Sequence, residues 1–135
     1  QIHWKLRTDP RVALHENSNA RFLKPESLGE KVRLAVCDVS FISVTLILPA
    51  LVPLLEEPRR FVILIKPQFE AGRSQVGKGG IVRDPGVHAE IVERVRGFVE
   101  TQGMAADVIE SPITGAEGNK EFLLYGADPD CRHRL

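Results

Sequence analysis

Cysteine is scarce: only Cys37 and Cys131 occur in 135 residues. They stand far apart and in no paired motif, which argues against a disulfide framework or a zinc site and makes a reducing cytoplasm the default compartment. The four histidines, His3, His15, His88 and His133, show no metal-ligand spacing, so no metal is expected. Net charge is also missing, because 18 Lys and Arg balance 18 Asp and Glu. Binding nucleic acid by charge alone needs a clear basic excess, so any such contact must be local or shared with another domain. The opening Gln1-Ile-His-Trp-Lys5 lacks the basic and apolar regions of a signal peptide. There is no internal repeat. One apolar run, Leu34 to Leu55, is long enough to span a bilayer. Asp38 would cost about 2.5–3.5 kcal/mol at the centre of such a span. Pro49 and Pro53 interrupt it as well. A buried strand followed by a buried helix explains the run better than a membrane segment.

What is present suits one soluble domain, with 43% hydrophobic and 27% charged residues. Leu34 to Val39 reads as a strand buried on both faces, and Ser40 and Ser43 offer caps for a helix from Val44 to Leu55. Pro49 bends that helix or delays its start. Phe61 to Lys66 is the clearest strand. Pro67 to Arg83 reads as a long loop, a length that in compact domains is usually functional or disordered. Asp84 caps the next helix with Pro85 in its first turn; Val87, Ile91, Val95, Phe98 and Val99 share its apolar face, and Gly103 ends it. Ala106 to Ser111 and Glu121 to Gly126 are strands whose link is too short for a crossover helix, which predicts an antiparallel hairpin. At the start, Ile2 to Arg7 reads as the end of a helix and Arg11 to His15 as a short strand. The alternation predicts a mostly parallel, doubly wound α/β sheet. The domain is expected over 1–126 and a loose tail over 127–135. Such folds place the ligand beside the first strand and its glycine loop; nothing before Gln1 supplies them, so the chain is expected to begin mid-domain and to lack the first strands.

Charge is locally uneven: residues 1–33 and Lys66 to Arg83 each carry about +3. Asp38 and Lys66 end neighbouring strands, whose carboxyl ends face one crevice in an open parallel sheet. They form either a catalytic acid–lysine pair or an ion pair at the rim. A lysine acting as a base needs its ordinary pKa lowered by burial or a nearby cation. Glu121, at the start of the last strand, reaches the same crevice if that strand lies beside the one ending at Lys66; otherwise it is an exposed strand-start residue. Asn17-Ser-Asn19 suits an adenine or ribose contact, or equally an ordinary turn. Gly72 to Gly79 nearly matches the P-loop spacing, but Gly79 replaces the magnesium-binding Ser or Thr and no helix opens directly after it. A flexible basic loop covering a phosphate-bearing substrate fits better.

Together, Asp38-Val-Ser-Phe-Ile-Ser43, Lys66-Pro-Gln-Phe-Glu-Ala-Gly72, Val76 to Pro85, Ser111-Pro-Ile-Thr-Gly115 and Gly118-Asn-Lys-Glu-Phe-Leu-Leu124 resemble the TlyA, or hemolysin A, branch of the FtsJ-like methyltransferases. Gln1 to Arg7 and Asn19-Ala-Arg21 resemble it too, so the likeness runs to about Tyr125. The resemblance implies a Rossmann-like class I methyltransferase fold and 2′-O-methylation of ribosomal RNA with S-adenosyl-L-methionine. It implies a Lys-Asp-Lys-Glu catalytic set, of which Asp38, Lys66 and Glu121 match three. Asn19 and Asp38 are the expected cofactor contacts. Gln68, Arg73, Lys78 and Arg83 are the expected RNA contacts, and ribosomal RNA or a ribosomal subunit is the expected partner. The first lysine, the glycine-rich cofactor loop and an RNA-binding domain lie upstream in that family. The isolated chain is therefore expected to be inactive, and the strand at Leu34 to Val39 to expose an edge through which copies could associate. Two other classes stand beside this reading: a membrane-active hemolysin, which needs a span or a lytic helix, and a non-catalytic RNA-binding fragment.

Overall fold

The computed structural model describes residues 2–129. In chain order its elements are α1 (Trp4–Arg7), α2 (Pro25–Leu28), β1 (Ala35–Cys37), α3 (Leu48–Leu51), β2 (Arg60–Ile65), α4 (Pro67–Glu70), α5 (Pro85–Thr101), β3 (Ala105–Glu110) and β4 (Phe122–Ala127). Single 3-10 turns punctuate the connections. The expected strand over Arg11 to His15 does not form; this stretch is irregular and its polar side chains pair locally, as in the Arg11–Asp9 bridge at 2.8 Å.

The four strands lie in the order β1-β2-β4-β3. β1 pairs with β2 in parallel, whereas β4 is antiparallel to both β2 and β3. The sheet is thus mixed rather than mostly parallel. The physical reason is the short Ser111 to Glu121 link, which returns the chain without a crossover helix and inserts β4 between its two neighbours. The expected C-terminal hairpin is present.

α5 is the large amphipathic element. Asp84 caps it by accepting the Gly86 N–H at 2.8 Å, and Pro85 opens it. Ile91, Val95 and Val99 are buried against Phe61, Ile63, Ile65 and Leu124, the inner face of the sheet. His88 joins that buried face, a position the apolar pattern does not mark. Gly126 is forced at the sheet centre, because a Cβ there would overlap the Phe61 ring. The opposite face is only half covered. Val36 is 74% exposed and Leu34 48%, so β1 is not buried on both faces as its apolar run implies. It is short, and it is the sheet edge among the described residues.

The expected continuous helix over Val44 to Leu55 is broken into a 3-10 turn (Val44–Leu46), α3 and another 3-10 turn (Val52–Leu54). Pro49 and Pro53 each sit where a new helical segment starts, the place a residue without an N–H is tolerated. No helix among the described residues is long and apolar enough to cross a membrane. At the other end, Asp128 is not loose. It bonds the backbone and guanidinium of Arg59, with Arg59 N to Asp128 Oδ2 at 2.6 Å. Cys131 and the rest of the expected tail from residue 130 lie outside the described residues, as does Gln1.

Candidate active site

Strand register alone assembles the site. The parallel β1–β2 ladder pairs Cys37 with Ile63, so the residues just beyond Cys37 run level with the end of β2. The antiparallel β2–β4 ladder pairs Ile65 with Phe122, which sets Lys66 and Glu121 side by side one step further on. Three strand ends therefore deliver Asp38, Lys66 and Glu121 to one rim of the sheet.

Two polar pairs occupy that rim. Lys66 Nζ stands 2.5 Å from Asp38 Oδ1 and donates to Ser40 Oγ at 3.2 Å. The lysine side chain is 14% exposed and the aspartate 66%, so the ammonium is sheltered while the carboxylate faces outward. Two of the three ammonium protons thus have partners among the described residues. Glu121 is buried and accepts from Gln68 Nε2 at 2.9 Å. Gln68 Oε1 is buried without a partner among the described residues. Gln68, one of the expected RNA contacts, thus turns inward onto Glu121.

The Glu121 carboxylate is seated against Gly115, where any Cβ would collide with it. This explains the glycine in Ser111-Pro-Ile-Thr-Gly115: its φ is −84°, so the requirement is space and not backbone freedom. Asn119, two residues before Glu121, is buried and ties two loops together. It accepts the Val82 N–H at 3.0 Å and donates to the carbonyls of Gly80 at 3.0 Å and Ala116 at 3.1 Å. His88 Nε2 adds a bond to the Val82 carbonyl at 2.8 Å.

That latch holds the basic glycine-rich loop. Pro67 to Arg83 is not an unstructured loop, because it contains α4, two 3-10 turns and a small bridge between Gly77 and Ile81. Gly72 to Gly79 does not wrap a helix N-terminus as a P-loop does. Arg73, Lys78 and Arg83 are all exposed along it. Asn19 is used as a local cap, accepting the Arg21 N–H at 3.0 Å, and the turn that follows packs on α3. Among the described residues no hydrogen bond or ion pair joins it to the Asp38–Lys66 pair.

Two features escaped the sequence reading. Phe41 is 89% exposed at a left-handed φ of 65° and packs at a tilt against Phe69, with ring centroids 4.8 Å apart. Glu70 buries its carboxylate between the loops that follow β1 and β2. Neither has a residue-level signature; only proximity in three dimensions shows them. Beside Asp38, an apolar hollow of about 280 Å³ is lined by Val36, Val62, Leu64 and Leu123. Burial pushes the nearby Cys37 thiol up from its ordinary value, and the Asp38 charge adds to this, so it is a weak nucleophile there. No group of three or more metal-ligating side chains occurs among the described residues.

Comparison with known proteins gives the chain a family. The family model of the FtsJ-like methyltransferases matches residues 1–127. YqxC of Bacillus subtilis, which carries an rRNA methyltransferase name, is 48% identical over 127 residues, covering 93% of this chain and 45% of that protein. The 16S/23S rRNA (cytidine-2′-O)-methyltransferase TlyA of Mycobacterium tuberculosis is 45% identical over 126 residues, covering 93% of this chain and 47% of that protein. A solved structure of a hemolysin-named protein from Streptococcus thermophilus superposes with a TM-score of 0.89 at 43% identity, over 96% of this chain and 48% of that one. The chain thus spans about half the length of the curated relatives it matches. The chain belongs to the FtsJ-like methyltransferase family.

Proposed function

We propose that the chain carries catalytic groups of a ribosomal RNA 2′-O-methyltransferase that uses S-adenosyl-L-methionine. The observation that supports this best is the sheltered Lys66 ammonium held 2.5 Å from Asp38 at adjoining strand ends, with Glu121 next in register. The methyl donor would supply an electrophilic methyl on a positively charged sulfur. The outward carboxylate of Asp38 fits the charged end of such a group, and Asn19 keeps its amide N–H groups to offer a nucleoside.

In this reading the Lys66 ammonium first releases a proton to solvent, and the resulting amine takes the proton of the ribose 2′-hydroxyl as the methyl is transferred. Asp38 and Ser40 aim the lysine nitrogen. Glu121 fixes Gln68 and completes the polar wall of the crevice. Most of the acceleration comes from holding hydroxyl and methyl in near-attack geometry. Arg73, Lys78 and Arg83 meet phosphates of the RNA and set its register without reading sequence. In the full-length protein, Lys66→Ala is expected to lower methyl transfer to rRNA by at least about 100-fold with the fold unchanged. Near-normal transfer of labelled methyl by that variant would refute the assignment.

We also propose that the exposed β1 edge and Val36 allow copies to associate. Val36→Lys should then reduce the apparent mass of this chain in light scattering at high concentration. An identical mass for both forms at every concentration counts against it.

A further inference from the structure

We infer that Glu70 is a positioning residue that sets the spacing of Asp38 and Lys66, an inference that rests on the catalytic reading above. The Asp38–Lys66 pair cannot hold its own geometry. Asp38 is 66% exposed, and an ion pair with so solvated a partner contributes too little to fix two loops. The fixing happens a few residues downstream of each. Glu70 lies four residues after Lys66, and its side chain is only 1% exposed. Its carboxylate accepts from Ser43 Oγ at 2.7 Å and from the Val44 N–H at 2.8 Å, on the loop that follows Asp38. Arg94 of α5 donates to the Glu70 carboxylate at 3.1 Å and to its carbonyl at 2.9 Å. One buried carboxylate thus joins the β1 loop, the β2 loop and the main helix. A buried anion is tolerated only when so fully bonded.

A second fastening runs in parallel. Phe69, next to Glu70, packs on Phe41 of the same β1 loop at 4.8 Å. Phe41 holds a left-handed φ of 65°, a conformation that persists only when its surroundings impose it. The Asp38–Ser43 loop is therefore clamped onto α4 at both a polar and an aromatic point. Loosening the polar point lets Asp38 drift from Lys66, and a misplacement of about 1 Å is enough to lower turnover about 100-fold.

The test uses the full-length enzyme with rRNA and S-adenosyl-L-methionine. Glu70→Gln keeps the shape but cannot accept from both Ser43 and Val44. It should lower kcat per folded molecule about 10- to 100-fold while the KM for rRNA stays within about 3-fold. Ser43→Ala removes one bond of the same clamp and folds more safely. It should lower kcat in the same direction, and the double variant should be no worse than the poorer single one, because both break a single connection. Unchanged kcat per folded molecule in both variants, or losses that multiply, would overturn the inference. Should Glu70→Gln fail to fold, Ser43→Ala alone decides by its kcat against its KM. Lys66→Ala runs alongside: if it turns over normally, the catalytic reading has failed; if it is dead while the clamp variants are intact, only the clamp has.

Discussion

Gly115 carries the sharpest prediction at the scale of one residue. Its φ of −84° suits alanine, yet a Cβ there would occupy the Glu121 carboxylate. Gly115→Ala should therefore cost about 1–3 kcal/mol of stability by overpacking. It should also lower methyl transfer about 10- to 100-fold by displacing Glu121 and, with it, Gln68. Thermal unfolding and kcat measured together check this; a variant with full activity would show that Glu121 need not sit where it does. The same pair of residues shows what a linear sequence hides. Glycine in a turn-rich link reads as a bend, and a glutamate at a strand start reads as surface. Only the packing of one against the other reveals that the glycine is cut to fit the acid.

At the scale of elements, the latch at Asn119 matters most. It joins the link before β4 to the basic loop before α5 through two hydrogen bonds, one of them from the buried Val82 N–H, and a third, to the Ala116 carbonyl, braces the link itself. Asn119→Ala leaves that N–H without a partner, at a cost of about 1–3 kcal/mol. Amide exchange in residues 77–83 should accelerate well beyond that of α5, and rRNA binding by the full-length protein should weaken as Lys78 and Arg83 lose their fixed placement. Exchange unchanged from the parent would mean the loop is held by other contacts. The helices themselves were readable where local chemistry rules. Asp84-Pro85 opens α5 and its apolar face is buried as the 3.6-residue period requires. Val44 to Leu55 was not readable as a unit, because Pro49 and Pro53 each restart the helix and the backbone accepts a jointed path.

Across the whole molecule, the sheet is closed at its far end by Arg59 and Asp128. Burial alone would raise the Asp128 carboxyl. The Arg59 side-chain and backbone hydrogen bonds and the guanidinium charge outweigh it and hold the carboxyl below its ordinary value of 3.8. The folded pKa is thus depressed, so the stabilisation is fully present above pH 3.8 and is lost as pH falls through the lower folded value. Asp128→Asn should lower stability by about 2 kcal/mol near neutrality, in line with bonds to charged groups. It should leave the acid limb of the unfolding curve of the full-length protein shallower than in the parent. Parallel acid limbs in the two proteins would remove Asp128 from the account.

The sequence by itself determined the α/β class, the strand at Phe61 to Ile65, the capped helix after Asp84, the C-terminal hairpin and the family. Each of these rests on information that is local in the chain: periodicity, a cap, a link length or a contiguous motif. It also named Asp38, Lys66 and Glu121, since motifs at strand ends survive as short words. The tertiary structure alone decided the rest. Strand order put β4 between β2 and β3 and so brought Glu121 level with Lys66. Long-range side-chain contacts turned Gln68 inward, set Glu70 across the two loops and left one face of β1 open. These are contacts between residues tens of positions apart, whose energy depends on which surfaces meet in space, and no local pattern encodes that meeting.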